Sequence, residues 1–507
     1  MIDTQSLPDD VDALKAIITG HNEHIVQLEA LVKAFKQALF GRRSEKIDQD
    51  QFELALEDIE TATEAVNARQ DTDEAAPAAK TQKTRAANRG SLPKHLPRIE
   101  NIIEPENKTC ACGSRLHVIG EDVSERLDVI PAQFQVIVTR RPKYACRSCE
   151  DGITQMPAPP HLVPVGLPTE NLIAHVLVSK YADHLPLYRQ AQIYARQGLK
   201  LDRSTLASWV GKAAFELTPV FECLLKALKT STKLYMDETR APVLDPGRCK
   251  TKTGYFWALA RDDRPWGGKD PPGVAFTYAP GRSGQYADDI LQGFEGILQV
   301  DGYAGYNRLL NRTGEQVQLA YCWAHARRKL YEVAKNSTAP IAQEGLKRIA
   351  ELYQIEADIR GQSPKNRLAA RQERTAPKLA ELETWLIQTR ARVSAKTPLG
   401  AALKYIARYW DGLILFAGDG RVEIDNNAVE RTIRPIALNR KNALFAGHDA
   451  GAKNWGMIAS LIETCKLNNI NPQDYLASTL TAIVNGHKQN NIDDLLPWNC
   501  AKTKPNV

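Results

Sequence analysis

Three acidic residues, each inside its own short motif, carry the most chemistry in this sequence. They are Asp237 in Tyr235-Met-Asp-Glu-Thr239, Asp301 in Leu298-Gln-Val-Asp-Gly-Tyr303 and Glu430 in Asp425-Asn-Asn-Ala-Val-Glu-Arg431. The first two sit at the ends of apolar, strand-like runs, and the third opens a helical pattern. Carboxylates delivered to one edge of a sheet suit a pair of divalent cations. The chemistry that such a cluster serves best is metal-assisted phosphoryl transfer on a nucleic-acid backbone. Each acid also has a plainer reading. Glu238 follows Asp237, and a one-residue slip in register swaps which of the two faces the site. Glu430 could be engaged by Asn427 in a capping box, or by Arg434 one turn on.

A second group is the cysteine set Cys110-Ala-Cys112-Gly113 and Cys146-Arg-Ser-Cys149. Two close pairs separated by a β-rich stretch make a four-thiolate tetrahedral Zn²⁺ site, which would let a module too small for much core hold a fold. The alternative is four buried, reduced thiols, and the first pair is tighter than the commoner C-x-x-C. The other five cysteines, 223, 249, 322, 465 and 500, are scattered and read as core residues. Cys322-Trp-Ala-His325 resembles half of a metal site. With no second half at matching spacing, it reads as a packed strand-to-helix turn with His325 near the acids. Arg327, Arg328 and Lys329, then Arg431, Arg434, Arg440 and Lys441, are spaced along helical patterns. Such faces suit phosphate, although solvated helix faces look the same.

The elements that must position these groups fall in order along the chain. Leu14, Ile18, His21, Ile25, Leu28, Val32, Phe35 and Leu39 step by four and three, a heptad seam within a segment spanning 11–47. It predicts self-association; an amphipathic helix packed on its own chain is the alternative. Residues 48–98 turn acidic, then Ala-rich, then basic without an apolar period, as a flexible linker does. Residues 99–160 hold the cysteines and short alternating runs such as Phe134-Gln-Val-Ile-Val-Thr139. Residues 166–230 read as helical. A helix ending at Gly198 and a capped second helix, Asp202-Arg-Ser-Thr-Leu-Ala-Ser-Trp-Val210, predict a helix-turn-helix, with Arg203, Ser204 and Thr205 placed to meet DNA. From 232 the pattern changes to strands: Lys233–Val243, Gly254–Asp262, Val274–Tyr278, Gly296–Val300 and Gln316–Tyr321. Helices are expected at about 285–293 and over Ala324–Ala334. A charged helical insertion, 340–416, separates the second acid from the third, and a C-terminal module occupies 456–507.

Composition sets the outer limits. A chain of 507 residues holds several domains. The formal charge of +6 names no partner by itself, but basic runs beside tryptophan and tyrosine permit nucleic acid. No apolar stretch approaches the ~20 residues needed to cross a bilayer. The N-terminus lacks a signal peptide's basic and apolar regions, so a cytoplasmic protein with no membrane partner is expected.

At this point the residues resemble transposases of the insertion sequence 66 family over nearly the whole chain. The matching segments include Phe40-Gly-Arg-Arg-Ser-Glu45, Ile119-Gly-Glu-Asp-Val-Ser124, Pro142-Lys-Tyr-Ala-Cys146, Asp237-Glu-Thr239 and Leu244-Asp-Pro-Gly247. They continue through Lys252-Thr-Gly254, Asp301-Gly-Tyr-Ala-Gly305, Cys322-Trp-Ala-His325, Asn427-Ala-Val-Glu-Arg431, Arg434-Pro-Ile-Ala-Leu438 and Arg440-Lys-Asn442. Leu467-Asn-Asn-Ile-Asn-Pro472 and Leu495-Leu-Pro-Trp498 close the series. The resemblance implies an α/β RNase H-like core over 232–455, a mixed five-stranded sheet flanked by helices with Asp237, Asp301 and Glu430 as a DDE triad. It implies two Mg²⁺ (or Mn²⁺) ions, with Asp237 bridging, and His325, Arg431 and Arg434 in support. The partners implied are double-stranded DNA (terminal inverted repeats and target), a second copy of the chain, and accessory proteins encoded by the same element, in the nucleoid of a bacterium. A non-catalytic DNA-binding regulator derived from such a protein is the competing expectation.

Overall fold

A computed structural model describes residue 10 and residues 97–100, 102, 133–145, 153–164, 166–245, 250–313, 316–336 and 339–500. The heptad segment, most of the expected linker, and Cys110, Cys112, Cys146 and Cys149 lie outside the described residues. The chain divides into Met1–Pro131 and Ala132–Val507, and every described strand and helix belongs to the second unit.

Two short strands come first, β1 (Lys143–Ala145) and β2 (Ile153–Gln155), antiparallel with Tyr144 opposite Thr154. The expected strand Phe134–Thr139 joins no ladder among the described residues. Alternation alone makes no strand without an edge to pair with. The Phe134 ring instead packs edge-on against Tyr194, 5.2 Å away.

Three helices follow: α1 (Glu170–Tyr181), α2 (Leu187–Arg196) and α3 (Arg203–Lys229). Thr169 caps α1 through its hydroxyl, which accepts the Leu172 N–H at 3.3 Å. Gly198, at φ +83°, takes the left-handed conformation that lets the chain turn out of α2. The short second helix expected at 202–210 is corrected. Here α3 runs on to Lys229 because Leu206, Trp209, Val210, Ala213, Leu217, Val220, Leu224 and Leu228 continue one buried stripe. Asp202 precedes it without a side-chain cap. Arg203 and Ser204 are exposed at its first turn and Thr205 is half-buried.

The five-stranded mixed sheet contains β3 (Lys233–Asp245), β4 (Lys250–Arg261), β5 (Gly273–Ala279), β6 (Gly296–Val300) and β7 (Val317–Tyr321), in the order β5-β4-β3-β6-β7. The β5-β4-β3 half is antiparallel, and β3-β6-β7 is parallel. Helix α4 (Gly284–Ile290) leads into β6, α5 (Asn307–Thr313) follows it, and α6 (Trp323–Asn336) leaves β7. Beyond lie the inserted helices α7 (Pro340–Ile359), α8 (Pro364–Ala370), α9 (Ala376–Arg392), α10 (Pro398–Arg408) and α11 (Trp410–Gly418), with a π turn at Arg371–Thr375 between α8 and α9. The chain finishes with α12 (Asn427–Ala443), α13 (Asp449–Leu467), α14 (Pro472–Val484) and α15 (Pro497–Cys500).

Two apolar cores result. The larger joins α1–α3, the sheet and α13; the smaller joins the insertion to Trp323, Ala326 and Leu330 of α6. Strand β5 is a sheet edge, and exposed edges invite foreign pairing. Helix α13 closes it: the Val274 and Phe276 N–H groups donate to the hydroxyls of Thr464 (3.1 Å) and Ser460 (2.7 Å). That approach requires Gly456, where a Cβ would lie 2.6 Å from the Phe276 carbonyl oxygen.

Candidate active site

The parallel register between β3 and β6 brings the first two acids together. Tyr235 lies opposite Gln299, so two residues further on the same face Asp237 comes level with Asp301. Asp301 directly follows the end of β6, as expected. Asp237 does not end its strand, because β4 continues beside β3 well past it, pairing Asp237 with Ala258. Glu238, next along the strand, is engaged by Arg282 at 2.5 Å and the Tyr306 hydroxyl at 3.0 Å. Asp301 acts on both carboxyls, and of the two Asp237 is the one that Glu430 also raises.

The third acid arrives on α12 at the end of a strap, residues 419–426, sewn to the sheet by polar side chains. The buried Gln299 amide donates to the Glu423 (2.6 Å) and Asp425 (2.9 Å) carbonyls. The Asn426 side chain, fully buried, donates to the Met236 carbonyl at 3.2 Å, while its own N–H donates to Cys322 Sγ at 3.2 Å. Arg371 grips the strap from the insertion, donating to the Phe416, Asp419 and Val422 carbonyls at 2.7, 2.8 and 2.9 Å. Glu430 therefore enters in the first turn of α12, where the helix dipole favours negative charge. The expected capping box is not formed: Asn426 holds the cap position, and Asn427 bonds Asp425 at 2.7 Å. Glu430 Oε1 instead faces His325 Nδ1 at 3.8 Å, and both atoms are buried without a hydrogen-bond partner.

Electrostatics mark the cluster as short of positive charge. Burial pushes the Asp237 carboxyl well above the usual carboxylate range, and Glu238, Asp301 and Glu430 push it further. Burial and Asp301 also raise Glu238, against the pull of Arg282. His325 is held below its ordinary value by burial, opposed by Glu430 and Asp301. Oxygen donors of like charge, crowded and partly unpartnered, fit hard divalent cations. Among the described residues the group whose ligand atoms all lie within 4.8 Å of one another is Cys322, His325 and Glu430, rather than the three acids. The Cys322 turn thus acquires a second half that sequence spacing did not reveal.

The supporting residues fall into two sets. Arg431, Arg434 and Lys441 are exposed on α12, whereas the half-buried Arg440 donates to the Arg240 carbonyl and ties α12 to β3. On the insertion, Tyr409 donates to the Gly302 carbonyl at 2.7 Å, and a Cβ at Gly302 would strike Tyr405. Gln299, Asn426 and Arg371 were missed at the level of sequence. Gln299 alone left a signal, a polar residue interrupting an apolar run beside Asp301.

Comparison with known proteins settles the kinship. A family model described as "Transposase IS66 family" matches residues 165–454, which contain all three acids. This chain belongs to that family. In this IS66-family chain, residues 107–150, with all four clustered cysteines, match the zinc-finger binding domain of transposase IS66. Residues 460–498 match the IS66 C-terminal element, and residues 27–100 match a model described as transposase C of IS166 homeodomain. The chain is 43% identical over 504 residues to the uncharacterized protein y4jD of Sinorhizobium fredii, covering 98% of this chain and 97% of the relative. It is 42% identical over 501 residues to y4qI of the same organism, covering 97% and 92%. Among solved structures, the Drosophila P element transposase strand transfer complex matches 64% of this chain and 93% of that chain at 9% identity, with a TM-score of 0.24. Among the described residues, no helix is long and apolar enough to cross a membrane.

Proposed function

We propose that this chain is a DNA transposase that cuts the terminal inverted repeats of a bacterial insertion sequence and joins them to target DNA. The observation that carries this reading is the delivery of Asp237 and Asp301 to neighbouring positions on one sheet face, with Glu430 brought across by the strap. The sheet order, antiparallel then parallel, supports an RNase H-like core. Asp237, Asp301 and Glu430 would hold two Mg²⁺ or Mn²⁺ ions, which when bound supply the charge that activates water or a DNA 3′-hydroxyl and stabilises the leaving oxygen. The protein's own part is positioning. Gln299 and Asn426 fix the third acid against the first two, and the insertion's tyrosines hold the Asp301–Gly302 turn. His325 lies beside Glu430, and Arg431 and Arg434 offer cations to the DNA backbone. No covalent protein–DNA intermediate is needed.

The remaining parts take the roles their chemistry suits. Cys110, Cys112, Cys146 and Cys149 bind Zn²⁺ and, with the exposed start of α3 at Arg203 and Ser204, recognise the element's ends. Lys441, exposed near the end of α12, and Arg440, which also holds the Arg240 carbonyl, would add charge for DNA. The heptad segment pairs two copies, so that both ends are processed together. Accessory proteins of the same element and a place in the nucleoid complete the reading.

The test is a Mg²⁺-dependent assay on an oligonucleotide carrying a terminal repeat. Wild type should cut and join it. Asp301→Asn should lower both by about a thousandfold or more while leaving end binding intact. An Asp301→Asn protein that still joins ends refutes the assignment, and a wild type that binds ends without cutting them makes the chain a regulator.

A further inference from the structure

We propose that Cys322, His325 and Glu430 form a soft-cation site that takes Zn²⁺, and that filling it withdraws Glu430 from the acid cluster. The binding half stands on the geometry alone; the withdrawal half rests on Glu430 acting with Asp237 and Asp301.

The three ligand atoms already lie within 4.8 Å of one another. Ligands around tetrahedral zinc sit roughly 3.3–3.8 Å apart, given bonds of about 2.0–2.3 Å. His325 Nδ1 and Glu430 Oε1, at 3.8 Å, are thus near that spacing before any ion enters. Both atoms are buried and lack a hydrogen-bond partner, an arrangement that costs free energy unless something occupies the space between them. Cys322 completes the set from the base of the same turn. The C-x-x-H spacing on the first turn of α6 presents sulfur and imidazole to one side, and the strap brings the carboxylate from the other.

The surroundings of the sulfur suit a bound thiolate. Cys322 Sγ accepts the Asn426 N–H at 3.2 Å, and the His325 backbone also hydrogen-bonds to it. Zinc binding forms a Zn–S bond as the S–H proton leaves to solvent. A thiolate and an imidazole favour zinc over magnesium, which prefers oxygen donors, so this site and the three-carboxylate site draw on different ions while sharing Glu430. With three protein ligands, the fourth position is left to water.

The experiment uses the full-length protein, dialysed against buffered Zn²⁺ and counted for zinc by mass spectrometry. No DNA or Mg²⁺ is present, and wild type is compared with Cys322→Ser and His325→Gln. The difference between proteins removes the contribution of the four-cysteine module. Wild type should hold one zinc per chain more than either variant. Equal counts in wild type and His325→Gln overturn the proposal; His325 is partly exposed, so that variant decides the matter even if Cys322→Ser does not fold. Co²⁺ in place of Zn²⁺ should give wild type a stronger thiolate charge-transfer band than Cys322→Ser, the four-cysteine module contributing equally to both, and an unchanged band also overturns it. In the oligonucleotide assay at saturating Mg²⁺, added Zn²⁺ should inhibit wild type at a concentration at least about tenfold below that needed for His325→Gln, measured on its residual activity. Wild type that holds the extra ion and keeps full activity overturns the withdrawal. If the acids are not catalytic, there is no cleavage to inhibit, yet the difference in zinc count persists, so the two failures are told apart.

Discussion

Gln299 shows how one buried amide can govern a distant carboxylate. Its NH₂ group serves two strap carbonyls at once, those of Glu423 and Asp425. Gln299→Met keeps the volume but leaves both acceptors without their donor, at about 1–3 kcal/mol each. The expected result is a lower unfolding midpoint in urea, with cleavage falling further than stability because Glu430 loses its anchor. Lys233 supplies a second test. Its buried ammonium donates to the Tyr235 hydroxyl at 2.7 Å and the Arg421 carbonyl at 3.1 Å. Burial nonetheless pulls its pKa down from 10.5 to about 8, against the opposing pull of Glu423 and Asp263. Between those two values the unfolded chain binds a proton that the folded chain has released, so this residue makes stability rise with pH across the window. The stability difference between wild type and Lys233→Met should therefore move in favour of wild type from pH 8 to 10.5. A difference that stays flat across those pH values would rule out the shift.

At the scale of elements, the insertion acts as a clamp on the third acid. Arg371 is wholly buried at the π turn, paired with Glu356 at 2.6 Å and bonded to the Phe416 carbonyl of α11 and to two strap carbonyls, those of Asp419 and Val422. Arg367 pairs with Glu356 and, at 2.6 Å, with Glu423. Arg371→Met leaves the buried Glu356 with only its 3.3 Å contact to Arg367 and leaves three carbonyls without their donor, and should cost about 3–5 kcal/mol in chemical denaturation. Arg374→Met, removing a mostly exposed pair with Asp358, should cost under about 1 kcal/mol. Parity between the two would refute the clamp. Elements of this kind differ in how far a sequence reveals them. Gly296–Val300 is the same strand in expectation and in structure, because a short apolar run bounded by glycine and aspartate has few other folds. The acids themselves were legible as motifs. The strap was not: the bonds of Gln299, Asn426 and Arg371 join residues far apart in the chain, and no local period encodes them. For the same reason the partner of Cys322 and His325 stayed hidden.

For the whole molecule, the heptad seam makes a separate claim. Replacing Leu28 and Val32 together with Asp puts two charges into that seam, and charged residues are excluded from coiled-coil cores. Sedimentation should then show a monomer that still binds a single DNA end but joins paired ends poorly; an unchanged mass would reassign the seam to intrachain packing. The strap has a consequence of another sort. The first two acids meet through a parallel pairing between β3 and β6, whereas the third waits for the entire helical insertion to be made and docked. Contacts that close long stretches of chain form late. On the proposed function, a polypeptide still emerging from the ribosome would hold two of its three acids in register and lack the third until the insertion has docked.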